Sequence, residues 1–153
     1  MADPEGKSQS GDGPEPTEPD RAPRQTPWGE KQTEYELTPG FTMVHTASHG
    51  GIWLTEQQRQ MVPDHLNQHS VGGEGIWWEE DSAWSLPVLH FLSRKEKLQA
   101  NEDFVLESAG ETAREWYPDA YRQIHRENAA HKLAAEFKNK LINSPAKEID
   151  RSR

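Results

Sequence analysis

Three acidic side chains lie among tryptophans in the segment 77–84, which has more capacity for chemistry than any other stretch of the chain. Two carboxylates held close together, with one kept protonated by dry surroundings, could act as a general acid and base. Consecutive side chains on a helix point about 100° apart, so Glu79, Glu80 and Asp81 would not all converge on one point there. We expect them to form the acidic first turn of a helix, and we retain Glu80 and Asp81 as catalytic candidates.

The second candidate is the tetrapeptide Ser48-His49-Gly50-Gly51. Two glycines let the backbone approach a ligand or a packed ring such as Trp53, and His49 could then act as an acid, a base or a hydrogen-bond donor. The alternative, which we favour, is a tight turn whose histidine caps a strand end or packs under a tryptophan. His49 is nevertheless our third catalytic candidate.

Two histidine pairs have a spacing that could suit a metal, namely His45 with His49 and His65 with His69. Residues four apart share one face of a helix or a strand, so each pair could offer two imidazoles to one ion. A chain with seven histidines produces such spacings by accident. No glutamate follows the first histidine of either pair, as the helical zinc-protease motif would require. We expect no metal site and no cofactor.

Asp103, Glu107, Glu111 and Glu115 stand four residues apart in a segment with a helical pattern. Such a row lies along one helix face with about 6 Å between neighbours, a spacing similar to that of phosphates along a nucleic acid strand. Like charges at this spacing cost stability. A solvated helix face is the simpler explanation, and a surface that imitates nucleic acid is the alternative.

The charge balance limits the possible partners. The chain has 26 acidic and 17 basic residues, for a formal net charge of −9. An acidic surface repels phosphates, so we expect no direct binding to nucleic acid and instead a basic protein partner, which could be a nucleic-acid-binding protein. The chain has no cysteine, no signal-peptide pattern at its start and no apolar run of membrane-spanning length, so we expect a cytoplasmic protein without membrane contact.

Composition and periodicity predict one α+β domain between two tails. Residues 1–26 are rich in proline and glycine, which predicts a disordered tail, and residues 143–153 form a charged tail. The domain over 28–142 starts with a small antiparallel sheet of about three strands at 34–54. Three helices, predicted at 79–92, 96–116 and 119–142, cover the sheet. We expect Pro87 to kink the first helix. The aromatic residues expected at the junction of sheet and helices are Trp53, Trp77 or Trp78, Trp84, Phe91 and Trp116.

Three motifs occur in order along the chain: Ser48-His49-Gly50-Gly51, then Trp78-Glu79-Glu80-Asp81 with Trp84, and then 116–121. In these motifs the chain resembles a family of domains of unknown function in small proteins of bacteria, bacteriophages and plasmids. The resemblance covers about residues 28–122 and implies no known activity. Members of that family favour a cysteine near position 82, where this chain has Ser82. A cysteine nucleophile there is therefore not a shared property.

No complete catalytic motif accompanies these residues, so we expect a non-enzymatic accessory protein of a phage or mobile element that binds a macromolecular partner through its acidic surface. The alternative is a small enzyme or ligand-binding domain in which His49 and Glu80 or Asp81 line a tryptophan-walled pocket. The sequence leaves the oligomeric state open. The residues that we expect to bind are Ser48, His49, Gly50, Gly51, Trp78, Glu79, Trp84, Asp103, Glu107, Glu111 and Glu115.

Overall fold

The computed structural model describes residues 20–143. Most of the predicted N-terminal tail, residues 1–19, and nearly all of the C-terminal tail, residues 144–153, lie outside the described residues. The predicted α+β class is confirmed. The described chain contains a two-stranded and a four-stranded antiparallel sheet, so strands are more numerous than predicted.

The elements follow in chain order. The strands are β1 (Gln25–Thr26), β2 (Gly29–Glu30), β3 (Thr33–Thr38), β4 (Phe41–His45), β5 (Gly50–Leu54) and β6 (Trp77–Glu79). The helices are α1 (Glu56–Met61), α2 (Ser85–Leu92), α3 (Glu102–Trp116) and α4 (Pro118–Asn143), and two short 3-10 segments, Asp64–His69 and Val71–Gly73, precede β6. Strands β3 to β6 lie side by side in sequence order.

The two faces of the main sheet are covered differently. Successive side chains of a strand point to opposite faces, so Ile52 and its partner Trp78 on β6 face the helices and are fully buried there. Trp53 points to the other face, where it packs with Val44 and Ala22. The prediction that Trp53 lies between sheet and helices is therefore wrong, and Trp78 occupies that place instead.

The segment that follows β6 differs from the predicted helix. Trp77–Glu79 forms a strand against β5, and the amide of Glu80 extends this pairing by donating to the carbonyl of Gly50 at 3.0 Å. Helix α2 therefore begins at Ser85, not near residue 79. Pro87 is its third residue, where the backbone N–H has no partner within the helix, so proline is tolerated there and the predicted kink has no cause.

Helix α3 starts at Glu102, whereas we predicted residue 96. Asn101 has a left-handed backbone with φ of 85°, which separates the helix from the preceding turns. The buried Glu102 carboxylate accepts hydrogen bonds from the Gln99 amide at 2.9 Å, the Lys95 ammonium at 2.8 Å and the Thr38 hydroxyl at 2.8 Å. This carboxylate therefore ties the start of the helix to the end of β3.

Helix α4 confirms the helix predicted at 119–142, but its second half is exposed, and there His131 Nδ1 accepts a hydrogen bond from Arg94 at 3.3 Å. Ile124 is buried, whereas the side chains from position 129 to the end of the helix are exposed. Trp116, which we expected at the junction of sheet and helices, is 63% exposed. The other apolar residues that recur at helical spacing but are exposed are Ala130, Leu133, Ala134, Phe137 and Leu141 on α4, with Phe104 on α3. Among residues 20–143, no helix is both long enough and apolar enough to span a membrane.

The folded part also begins earlier than residue 28. Ala22 is 4% exposed, because it packs on the outer face of the sheet. Its carbonyl accepts a hydrogen bond from the Lys31 ammonium at 2.8 Å. The last residues of the predicted tail are thus part of the domain and cover the face that carries Trp53.

Candidate functional site

The turn between β4 and β5 places His49 at the edge of the sheet. The Thr46 hydroxyl accepts a hydrogen bond from the His49 amide at 3.1 Å, and the Thr46 amide donates to the His49 carbonyl at 2.8 Å. Across the ladder, His45 pairs with Gly50. The tight turn that we favoured from the sequence is therefore present, and it fixes the backbone from which the His49 ring projects.

Strand β6 brings the acidic run to this ring. Glu79 pairs with Gly51 in the ladder, and its carboxylate accepts a hydrogen bond from Nε2 of His49. Glu80 Oε2 lies 4.0 Å from Nδ1 of His49, and Asp81 Oδ2 lies 4.0 Å from Nε2. We name these four residues, His49, Glu79, Glu80 and Asp81, the His49 cluster. The three carboxylates converge because they lie on a strand end and a turn, where the helical geometry that we assumed does not apply.

The two glycines after His49 make room for this arrangement. A Cβ atom at Gly50 would lie 2.5 Å from the Val44 carbonyl oxygen and 2.9 Å from Oε1 of Glu80. A Cβ at Gly51 would lie 2.5 Å from Cη2 of Trp28. Real Cβ contacts are never that short, so the first glycine admits a carboxylate and the second admits an aromatic ring. That ring belongs to Trp28 and not to Trp53.

Trp28 is a site residue that sequence reasoning missed. Its ring centroid lies 6.3 Å from that of His49, and it meets Trp77 edge to face at 5.7 Å. The β1–β2 hairpin holds it there, where its amide donates to the Thr26 hydroxyl at 3.0 Å. The available signal was its position as the first aromatic residue of the chain, at the start of the resembling segment.

The carboxylates favour a protonated imidazole. The hydrogen bond to Glu79 raises the pKa of His49 above its ordinary value of 6.5. Partial desolvation opposes this effect, and the negative charges of Glu79, Asp81 and Glu80 add to the rise in pKa. A protonated His49 neutralises one of the three carboxylates, so the cluster keeps a net negative charge.

A groove of about 370 Å³ adjoins the cluster, between the sheet and α3. Its lining residues are Tyr35, Leu37, Met43, Glu80, Asp81, Trp84, Phe104, Val105 and Ser108. Phe104 is 75% exposed and Tyr35 is 53% exposed, so two large rings flank the opening. Glu80 and Asp81 thus belong both to the groove and to the His49 cluster, and Trp84 lies in the groove as well.

The acidic row of α3 borders the same groove. Asp103, Glu107, Glu111 and Glu115 are all exposed. Residues three apart are neighbours on a helix surface, so Glu107 stands beside Phe104 and Glu111 beside the groove residue Ser108. None of the four makes an ion pair with another described residue. We name the groove and this row together the acidic face.

The sequence also singled out Trp78, Ser48, His65 and His69, and none of these residues belongs to the His49 cluster. Trp78 is fully buried in the main core, and Ser48 is exposed in the turn. His65 hydrogen-bonds the Glu127 carboxylate at 3.0 Å, whereas the ring of His69 packs against Tyr117 with centroids 4.7 Å apart. The second histidine pair therefore does not share one ligand.

With this geometry established, comparison with known proteins gives one match. Residues 21–145 match a family described as a domain of unknown function, DUF7007. The chain belongs to this family. No curated protein and no solved structure matches the chain. The DUF7007 match extends beyond both ends of the segment 28–122 in which we saw the resemblance. It includes the segment around Ala22 that packs on the sheet. It also includes the exposed part of α4 from position 129 onward, which we name the projecting half of α4.

Proposed function

We propose that this DUF7007 domain is a non-enzymatic accessory protein of a phage or mobile element, and that its acidic face binds a basic, partly apolar segment of a partner protein. The observation that carries the proposal is the groove between the sheet and α3, which has exposed aromatic rings and the carboxylates of Glu80 and Asp81 in its lining. The exposed acidic row lies on the same helix α3.

The apolar part of the face supports a protein partner. Large exposed aromatic side chains next to a groove are typical of interaction sites, where a partner's side chains desolvate them. Phe104 leaves three quarters of its surface in water, although Ala109 and Ala113 of the same helix are buried. Leu37, Met43 and Val105 supply an apolar floor on which an inserted aliphatic or aromatic side chain could rest.

The charged part of the face supports a basic partner. Glu107 and Glu111 are exposed and form no ion pairs within the described chain, and Glu80 and Asp81 add two carboxylates at the end of the groove. Such a potential repels phosphate and attracts lysine and arginine, which also speeds association. The nucleic-acid-binding face of another protein has the required charge.

A defined peptide tests this chemistry without knowledge of the partner. We expect the purified chain to bind a fluorescein-labelled amphipathic helical peptide of leucine and lysine, measured by fluorescence anisotropy, with an affinity that falls as salt rises. The double substitution Glu107→Lys with Glu111→Lys and the single substitution Phe104→Ala should each weaken binding about tenfold or more. Glu74→Lys, in an exposed glycine-rich loop outside the groove, is the matched control.

Three outcomes would contradict the proposal: equal binding of the same peptide with glutamate in place of lysine, tighter binding of a DNA duplex, or no effect of the substitutions on α3.

The second candidate function is a small enzyme or ligand-binding domain, and the hydrogen bond between Glu79 and His49 is the specific observation in its favour. A carboxylate that orients an imidazole and raises its basicity is an arrangement suited to general acid–base catalysis. Trp28 and Trp77 form a wall beside the ring.

A panel of chromogenic esters, phosphate esters and glycosides tests this candidate. Turnover that is lost in His49→Ala and kept in His125→Ala would support it, and absence of turnover across the panel would remove it.

A further inference from the structure

The His49 cluster carries more negative charge than its own residues neutralise. Three carboxylates lie around one imidazole, each within 4.0 Å of one of its ring nitrogens. Glu79 and Glu80 are mostly shielded from water, with side-chain exposures of 26% and 33%. Like charges held this close oppose folding unless a cation joins them. The described residues place no lysine or arginine side chain in ion-pair contact with Glu79, Glu80 or Asp81.

We propose that His49, Glu80 and Asp81 bind one divalent transition-metal ion, with Glu79 as the residue that positions the imidazole. This inference does not rest on the binding of a partner protein by the acidic face.

The distances are suitable for such a site. One ligand atom from each of His49, Glu80 and Asp81 lies within 4.8 Å of the other two. Ligands at about 2.1 Å from a tetrahedral ion lie about 3.4 Å apart, so the side chains must close by roughly 1 Å. Asp81 Oδ2 lies 4.0 Å from Nε2 of His49, and because its side chain is 76% exposed it is free to rotate towards an ion on Nδ1. Glu80 comes from the turn after β6, and its approach is possible because Gly50 has no side chain.

Glu79 determines which ring nitrogen is available. Its carboxylate accepts the hydrogen bond from Nε2 of His49, so a metal ion would displace the proton on Nδ1 and bind that nitrogen. Nδ1 is the nitrogen that faces Glu80, at 4.0 Å. Carboxylates that accept the second imidazole N–H are the usual partners of metal-binding histidines, since they orient the ring and raise its basicity. The same contact that suggests an acid–base pair is thus also the supporting contact of a metal ligand.

The donor set indicates the class of ion. One imidazole nitrogen with two carboxylates suits Zn²⁺ or Mn²⁺, whereas Mg²⁺ and Ca²⁺ prefer oxygen alone. His45 is a possible additional participant, because its Nε2 lies 4.0 Å from the other oxygen of Glu80. A bound divalent ion would offset two of the three negative charges, and it would bring together residues from the Ser48–Gly51 motif and from the acidic run.

Isothermal titration calorimetry of the full chain, stripped with EDTA and titrated with ZnCl₂ at neutral pH, tests the site. We expect one ion per chain and a rise in the thermal unfolding midpoint with Zn²⁺. His49→Ala and Glu80→Gln should abolish this binding, and Glu79→Gln should weaken it by about ten- to a hundredfold. His131→Ala, which removes an exposed histidine on α4, should bind like the wild type. Far-UV circular dichroism of each variant checks that the fold is intact.

The proposal is overturned if the wild-type chain takes up no ion at millimolar Zn²⁺ or Mn²⁺, or if His49→Ala or Glu80→Gln binds as tightly as the wild type. It is also overturned if Zn²⁺ leaves the His49 imidazole resonances unmoved in NMR spectra. This spectral test remains informative if a substitution disturbs folding. Failure of metal binding leaves the peptide experiment on the acidic face unaffected, because that experiment is performed without metal.

Discussion

The indole of Trp28 occupies the space that a side chain at Gly51 would need. A Cβ there would lie 2.5 Å from Cη2 of Trp28 and 2.3 Å from the backbone oxygen of Trp78. We therefore expect Gly51→Ala to lower the free energy of unfolding by about 2 kcal/mol, because the ring or the strand must move. Urea denaturation measures this loss.

Gly110→Ala is the matched comparison, since its Cβ would meet only Leu89 Cδ1, at 4.0 Å, in the middle of α3. It should stabilise by about 0.5–1 kcal/mol, because alanine favours helix. A neutral result for Gly51→Ala would mean that Trp28 is not held against β5.

Removal of the Glu102 carboxylate should be costly. It accepts hydrogen bonds from Lys95, Gln99 and Thr38 and is 6% exposed. Glu102→Ala should therefore destabilise by about 3 kcal/mol, since it leaves an ammonium and a backbone N–H without their partner. Differential scanning calorimetry would show the fall in unfolding temperature. Asp103→Ala, at the exposed neighbouring position, should change stability by less than about 0.5 kcal/mol, and an equal effect of the two substitutions would contradict this account.

His90 makes the protein sensitive to mild acid. Burial, together with the positive charge of Arg94, lowers the pKa of His90 to about 4, against weaker raising influences from Glu127 and the Met61 backbone. The unfolded chain, with an ordinary pKa near 6.5, then binds the proton first as pH falls. Stability from this group is thus present above about pH 6.5 and is lost towards pH 4, which amounts to about 2 kcal/mol between pH 7 and pH 5.

The His90→Gln variant isolates this contribution. Guanidinium unfolding at pH 7 and at pH 5 should show a smaller loss of stability in the variant than in the wild type. His125→Gln, at an exposed position on α4, should keep the wild-type difference. If both variants lose as much stability as the wild type, His90 is not the acid-sensitive group.

The projecting half of α4 should contribute little to stability. Leu133 is 68% exposed and Phe137 is 63% exposed. Replacing both with serine should change the free energy of unfolding by less than about 1 kcal/mol. Ile124→Ala, at a fully buried position of the same helix, should cost about 2–4 kcal/mol. A large loss of stability in the double serine variant would show that Leu133 and Phe137 pack against another surface. Sedimentation velocity would then identify self-association.

The sequence predicted correctly those elements that are determined by residues close together in the chain. The antiparallel sheet predicted at 34–54 contains the β3–β4 hairpin, in which Thr38 pairs with Phe41 on either side of Pro39 and Gly40. The helical periodicity after Pro118 gave α4 to within a residue or two. In both cases the residues that decide the structure are neighbours in sequence, so propensity and spacing suffice.

The predictions that were wrong concern structure that depends on residues far apart in the chain. Trp77–Glu79 is a strand because β5 offers it a free edge, and that partner lies more than twenty residues away in sequence. A three-residue strand carries too little internal pattern to reveal this pairing. The same error separated Glu79, Glu80 and Asp81 in the prediction, because their convergence on His49 depends on a strand and a turn in place of a helix. Periodicity predicted helix α4, but it does not say what covers the apolar side chains of that helix.

Affinity purification from the organism that encodes the chain tests the central claim most directly. Tagged wild-type chain and the Glu107→Lys, Glu111→Lys double variant would be compared, with Glu74→Lys as the control, by crosslinking and mass spectrometry. We predict a basic protein that is enriched by the wild type and the control, is released by high salt, is insensitive to nuclease and crosslinks beside Phe104. Recovery of the same partners by the double variant, or of nucleic acid alone, would contradict the account.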